Sequence, residues 1–221
     1  MRETFHDELA QLGEELTGMC RQAAESMRQA SQALLTADQV LAERVLAADA
    51  ELDEQRRLCA GHAQALLALQ APVAGDLRSV LAAVYCADKI ERMGDLAAHV
   101  AATARLSYPE HAVPAELETV FSELGAAAAG MADRSAELIT DAGAGSFAEL
   151  QETDQVVDGL HAEVLAAITD ETWAHGIRSA SSLALLARYH ERFADQAVSV
   201  AKRVEFAATG HLPGAVAQTS P

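Results

Sequence analysis

Apolar residues recur along this chain at alternating steps of three and four, the spacing of helices that each bury one face. The first stripe runs Phe5, Leu9, Leu12, Leu16, Cys20, Ala23, Met27, Ala30 and Leu34, and predicts a single long helix. Thr36-Ala37-Asp38 then offers a turn, with Asp38 able to cap the next start. A second stripe holds Leu41, Val45, Ala48, Leu52, Gln55, Cys59, His62, Leu66 and Leu69 before Pro72 and Gly75 break it, and Asp76 can cap the third helix. That third helix carries Ala83, Cys86, Ile90, Met93, Ala97, Val100 and Ala104, and Pro109 and Pro114 mark a boundary after it. Beyond that boundary a fourth helix is expected over about 115–140, closing at Asp141-Ala142-Gly143-Ala144-Gly145. Ser146 caps a fifth, with Leu150, Thr153, Val157, Leu160, Val164 and Ala167 on its stripe. A break near Trp173 to Gly176 precedes the sixth, which carries Leu183, Leu186, His190, Phe193, Ala197, Val200 and Val204. Residues after Gly210 are expected to fray.

The six helices fall into two groups of three, and an internal repeat relates the groups. Shifting the third helix by 100 places Arg78, Ser79, Ala87, Glu91, Arg92, Asp95, Ala97, Val100 and Ala101 on identical residues at 178, 179, 187, 191, 192, 195, 197, 200 and 201. Ile90 falls on His190. Alanine-rich helices share alanines by chance; they do not so easily share Arg-Ser and Glu-Arg-x-x-Asp in register.

The repeated helix carries Glu91 and Asp95, then Glu191 and Asp195, each pair one turn apart. The helix before it carries Asp49 and Asp53 in the first half and Asp154 and Asp158 in the second, offset by 105. A short loop makes consecutive helices antiparallel neighbours, so each half gathers four carboxylates. Like charges at this spacing destabilise a helix. Cations would relieve them, and clustered carboxylates suit hard or borderline metals such as Mg, Mn or Fe. With Ile90 at heptad position a and Met93 at d, Glu91 takes b and Asp95 takes f. Asp49 and Asp154 come out at e, and Asp53 and Asp158 at b. The eight carboxylates are therefore expected to face outward, suited to partner recognition more than to sequestered chemistry.

Composition narrows the setting. Half of the 221 residues are apolar, and the formal charge is −17 from 16 Lys and Arg against 33 Asp and Glu. Such a chain repels nucleic acid and anionic lipid headgroups. Cys20, Cys59 and Cys86 form no CxxC pair and read as reduced thiols in a helical core, hence a cytoplasmic setting. The N-terminal residues lack the apolar stretch of a signal peptide, and no run reaches the length of a membrane span. His62 and His190, on apolar stripes, are expected as satisfied core histidines. His99 stands one turn beyond Asp95 and could join its cluster, although its repeat counterpart is Ser199. Arg92 and Arg192 are expected in local ion pairs, and Arg78, Arg178 and Arg188 are candidates for partner contacts.

Asp-x-x-x-Asp on one helix, then Gln70-Ala-Pro72-Val-Ala74-Gly-Asp76-Leu77-Arg78, then Asp88-Lys-Ile-Glu91-Arg92-Met-Gly94-Asp95, resembles the PhoU family of phosphate-signalling proteins. Ala187-Arg188-Tyr-His-Glu191-Arg192-Phe-Ala-Asp195 resembles that family's second repeat, and the likeness runs from about residue 5 to Gly210. The resemblance implies an all-α fold of two tandem three-helix bundles, six helices related by pseudo-twofold symmetry, with the halves at 1–108 and 109–210 and a flexible tail at 211–221. It implies metal clusters (Fe, Mn, Mg or Zn, as divalent or trivalent ions) on Asp49, Asp53, Glu91, Asp95, Asp154, Asp158, Glu191 and Asp195. It further implies a non-enzymatic, cytoplasmic negative regulator of phosphate uptake and phosphate-starvation signalling. Its partners would be the ATPase subunit of the phosphate ABC transporter and a membrane sensor histidine kinase, with membrane contact only through them and a homodimer left open. One departure is Ala194-Asp195-Gln196 where the family usually has Gly-Asp-His, which removes an imidazole at 196 and a glycine at 194.

The alternative is a ferritin-like carboxylate metalloenzyme, which requires inward-facing carboxylates and paired Glu-x-x-His motifs. Only Glu3-x-x-His6 fits that motif. A structural bundle without metal is the third reading. No nucleophile pairing or Gly-rich phosphate loop is present, and an acidic protein is badly suited to free phosphate unless metal reverses the local charge.

Overall fold

A computed structural model describes residues 2–141 and 146–213, with the side chains of 2–4 left out. Its helices are α1 (Arg2–Thr36), α2 (Gln39–Gln70), α3 (Ala74–Ser107), α4 (Glu118–Thr140), α5 (Phe147–Thr169) and α6 (Gly176–Thr209), with a 3-10 turn at Ala115–Leu117 before α4. The architecture is all-α, as the apolar periodicity predicts. Side-chain caps set two of the starts. Asp38 caps α2 by accepting a hydrogen bond from the Leu41 amide at 2.9 Å, and Ser146 caps α5 by accepting one from Glu149. Asp76 does not cap α3. The helix begins at Ala74, behind an uncapped Val73, and Asp76 lies inside its first turn, where a carboxylate favours the helix dipole. Of the expected close of α4, residues 142–145 lie outside the described residues, as do 214–221 of the tail and the Glu3 side chain of the Glu-x-x-His motif.

Helices α1, α3, α6 and α4 pack in that order as a closed ring, each touching the next. α2 lies outside, against α1 and α3, and α5 lies outside, against α4 and α6. Each half is thus a three-helix bundle, and the halves meet through α1 on α4 and α3 on α6. One continuous apolar cluster runs through both. Two-sided packing explains where burial departs from a single stripe: α1 also buries Met19, Ala24 and Ala33, because one flank faces α3 and the other α4. On α2, which has neighbours on one side only, Ala42 and Ala63 are buried while Leu69 is 80% exposed at the far end. The three cysteines are buried and unpaired. Burial pushes the thiols of Cys59 and Cys86 up to about 12 and that of Cys20 well above its ordinary value, so they pack as small apolar groups.

The halves pack tightly where α1 meets α4. Gly125 on α4 faces Ser31 on α1 so tightly that a Cβ at 125 would lie 2.6 Å from the Ser31 Cβ and closer still to its hydroxyl. His190 of α6 reaches the same spot: its Nε2 is 3.3 Å from Ser31 Oγ, its Nδ1 is 2.8 Å from the Leu186 carbonyl, and its ring meets Phe121 edge-on. It is fully buried, and loss of hydration lowers its pKa to about 4. His190 is thus the satisfied core histidine the sequence predicts. His62 is not one. It is half-buried between α1 and α2 and holds two carboxylates, Glu8 at 2.8 Å and Glu15 at 3.0 Å.

Gly125→Ala is expected to overpack this crossing and lower stability by about 1–3 kcal/mol, read as a shifted denaturant midpoint at unchanged slope. A midpoint equal to that of the parent protein would show that the helices can part there at no cost.

Candidate metal-binding grooves

Packing of α2 on α3 brings Asp49 and Asp53 to face Glu91 and Asp95 across a shallow groove. The approach is close because α3 has Gly94 there. A Cβ at 94 would strike the Leu52 side chain and lie 3.5 Å from Asp49 Oδ1. Asp49, Glu91 and Asp95 are half-buried and Asp53 is exposed. Mutual repulsion registers on the acids: burial first, then Asp95 and Asp53, raise both Asp49 and Glu91 above their ordinary values. His99 pulls Asp49 back down, and Arg56 and Arg92 do the same for Glu91. Both arginines sit in the groove as counter-ions. Arg92 bonds Asp95 at 2.7 Å, while Arg56 lies 3.8 Å from Asp53 and 3.4 Å from Asp88 on the facing helix.

The second groove, between α5 and α6, repeats the plan with Asp154 and Asp158 against Glu191 and Asp195. Asp154 and Glu191 are half-buried; Asp158 and Asp195 are exposed. Desolvation, then Asp158, Asp195 and Glu191, push the Asp154 carboxyl up to about 6. Glu191 is raised by burial and by Asp195, against the pull of Arg188 and His161. Arg188 donates to one Glu191 oxygen. The other Glu191 oxygen, Oε2, and Asp154 Oδ1 are both buried and have no hydrogen-bond partner. A buried carboxylate oxygen left without a donor is costly, and a proton or a cation would satisfy it.

All eight predicted carboxylates therefore lie in two matching places, four to a groove. Their direction differs in part from the heptad expectation. Because α2 and α5 pack on the outside of the ring, positions on the flank of α3 and α6 are roofed by a neighbour, and five of the eight become half-buried. The groove walls close on side chains and leave the interior apolar. Among the described residues the buried polar side chains are Thr17, Ser31, Ser135 and His190, and the inward carboxylates of a ferritin-like centre are absent. As the side chains stand, no three His, Cys, Asp or Glu residues among those described converge tightly enough to hold one ion.

Sequence reasoning undervalued the groove cations. The offsets of 105 and 100 already align Arg56 with His161 and Asp88 with Arg188. The other candidates separate. His99 reaches the first groove electrostatically but spends its ring face on Tyr189 of the other half, with centroids 5.1 Å apart. Arg78 is half-buried, its guanidinium resting on Gly210 at the end of α6. Arg178 is exposed, and Arg188 belongs to the second groove.

The sign of the Asp154 effect comes from its raised value. Between about pH 4 and pH 6 the folded protein holds a proton on Asp154 that the unfolded chain releases, so this group's contribution to stability falls as pH rises through that window. His190, lowered to about 4, acts oppositely over about pH 4 to 6.5, because the unfolded chain binds the proton. Asp154→Asn isolates the first effect: the stability it gains over the parent should grow from about pH 4 to pH 7 in the metal-free protein. A difference that stays flat or shrinks across that range would contradict the assignment.

The PhoU domain model matches the chain twice, over residues 16–104 and 121–204. The phosphate-specific transport system accessory protein PhoU homolog 1 of Mycobacterium leprae is 41% identical over 213 residues, covering 96% of each chain. PhoU homolog 2 of Mycobacterium tuberculosis is 42% identical over 96% of this chain and 100% of its own. Among solved structures, PhoU from Pseudomonas aeruginosa superposes with a TM-score of 0.80 at 22% identity, covering 94% of this chain and 100% of that one. The phosphate transport system regulatory protein PhoU from Streptococcus pneumoniae gives the same TM-score at 23% identity, over 94% and 98%.

Proposed function

The chain belongs to the PhoU family, and on that basis we propose that it is a non-enzymatic accessory regulator of phosphate-specific transport. In this reading it restrains phosphate uptake and phosphate-starvation signalling from the cytoplasm, as an adaptor between the ATPase subunit of the phosphate ABC transporter and a membrane sensor histidine kinase. The observation that carries it is the duplicated pair of acidic grooves on the outer flanks of a fold that matches PhoU relatives nearly end to end. No described helix is long and apolar enough to cross a membrane, which fits contact with the bilayer through partners.

The grooves hold metal in this reading. Their donors are carboxylate oxygens, which suit Mg, Mn, Fe or Zn as divalent or trivalent ions, and the orphaned oxygens of Asp154 and Glu191 are the kind of atoms a cation satisfies. Asp49, Asp53, Glu91 and Asp95 would line one site and Asp154, Asp158, Glu191 and Asp195 the other. Bound cations would turn repelling flanks into ordered surfaces on which partner acids or backbone carbonyls could dock.

Replacing Glu91 and Glu191 by Gln and Asp95 and Asp195 by Asn should abolish repression of a phosphate-starvation reporter under phosphate-replete conditions while circular dichroism stays helical. Full repression by that folded variant would remove the grooves from the regulatory role. Elemental analysis of protein purified without a polyhistidine tag should find metal at one or more ions per chain. A clearly substoichiometric content would remove the cluster and leave the adaptor reading standing.

A further inference from the structure

The two ends of the four-helix ring are finished differently. α1 and α3 run one way and α4 and α6 the other: Thr17 meets Thr140 across α1 and α4, and Arg203 lies over the Tyr85 ring across α6 and α3. The linker from α3 to α4 closes one end. Its His111 puts Nδ1 3.1 Å from the Leu35 carbonyl at the end of α1, and its Val113 and Leu117 are 1% and 3% exposed, inside the apolar core. The other end holds a cavity of about 230 Å³ walled by all four helices, among them Leu9 and Gly13 of α1, Ala82 of α3, Ile139 of α4 and Ala208 of α6. Apolar cavities of about 150 Å³ already accept benzene, so aliphatic side chains fit this one. A hollow of about 470 Å³ between α1 and α4 adjoins it through Leu9, Gly13 and Ile139, and nothing lies within 4 Å of where a Cβ on Gly13 would stand.

The internal repeat identifies what corresponds to the linker at this end. With an offset of 104, Met27, Ser31, Leu34 and Thr36 of α1 fall on identical residues 131, 135, 138 and 140 of α4. Leu35, which receives the linker's histidine, therefore has Ile139 as its counterpart, in the cavity wall. The linker reads His111-Ala112-Val113-Pro114-Ala115-Glu116-Leu117, and the chain after α6 reads His211-Leu212-Pro213-Gly214-Ala215-Val216. Each is a histidine followed by apolar-Pro-x-x-apolar. The second segment also leaves α6 at the mouth of the cavity: Ala207 and Ala208 line it, and Gly210, at φ 77°, turns the chain off the helix. Leu212 is 46% exposed there, where its counterpart Val113 is buried. Val216 stands six residues beyond Gly210, a reach of about 20 Å of extended chain.

We propose that residues 212–216 are the second half's version of the α3–α4 linker, and that they fold back over the open end of the ring with Val216 seated in the cavity against Leu9 and Ile139 and Leu212 covering its rim. The segment fastens the end of α6 to α1 and α4. An apolar segment of another protein then reaches this cavity only in competition with the chain's own.

Nuclear Overhauser contacts in the methyl-labelled full-length protein test this. The Val216 methyls should give cross-peaks to Ile139 and Leu9. Gly13→Leu, which fills the cavity, should abolish them and move the Val216 shifts to those of unstructured chain. Leu212→Asp together with Val216→Asp should raise the fluorescence of added Nile red, a neutral apolar dye, severalfold at unchanged helical circular dichroism. Adding Gly13→Leu to that variant should cancel the rise, which separates an opened cavity from general loosening. Val216 methyls at unstructured-chain shifts in the parent protein, without those cross-peaks, would overturn the proposal. So would cross-peaks found only between differently labelled chains of a mixed sample, which would make a second copy the occupant. Dye fluorescence as high in the parent as in the doubly substituted variant would also overturn it and leave the cavity open to an outside apolar guest.

Discussion

The crossing of α1 over α4 is the constraint on which the rest of the arrangement depends. Ser31 packs so closely on Gly125 that no Cβ fits at 125, and His190 adds a hydrogen bond to Ser31. Close approach of this kind needs small residues, and the ring of four helices is lined with them: Ala23, Ala30, Ala87, Ala97, Ala128, Ala132, Ala187 and Ala197 are all fully buried. Helices this thin on their facing sides approach closely, and among the described residues none of the buried side chains is a carboxylate. α2 and α5 are excluded from the ring, lie on its outside, and thereby create the two grooves in which the acids collect.

Those grooves balance two opposing electrostatic terms. Partial burial strips water from Asp49, Glu91, Asp154 and Glu191, and the neighbouring acids then repel what hydration no longer screens. The first half answers with arginines of its own. The second answers less completely, and two of its oxygens go without a donor. The same backbone plan, duplicated, thus carries two different charge solutions, and the difference turns on single side chains at matched positions.

Much of this was legible in the amino-acid pattern. Helix number, the caps at Asp38 and Ser146, the break at Trp173–Gly176 and the core role of His190 came from periodicity and turn chemistry. So did the grouping of the eight acids, because a repeat in register constrains pairs of helices at once. What periodicity could not show was how many sides of a helix would be covered. α1 and α3 pack on two or more neighbours, so residues beyond one stripe are buried, while Leu69 on α2 runs past its last neighbour and stays exposed. The same blindness placed Glu91 and Asp95 on an open face, when α2 in fact roofs their flank. His62 misled for a different reason. An apolar stripe marks position and not polarity, and Glu8 and Glu15, far away in sequence, supply partners that no local pattern announces.

Duplication and burial together bear on how such a chain diverges. Arg78 and Arg178 began as copies of one corner, each just inside a helix start and preceding a serine. Folding uses one of them: the Arg78 guanidinium packs against Gly210, where the beginning of α3 meets the end of α6. Arg178 has no such duty, and beside it Ile177 is 86% exposed. Once fused repeats pack face to face, every inherited feature exists in two versions, one committed to holding the molecule shut and one released from that task. Selection can rewrite the released copy without unfolding the protein. The corner at Ile177–Arg178 is the half of the pair open to new use.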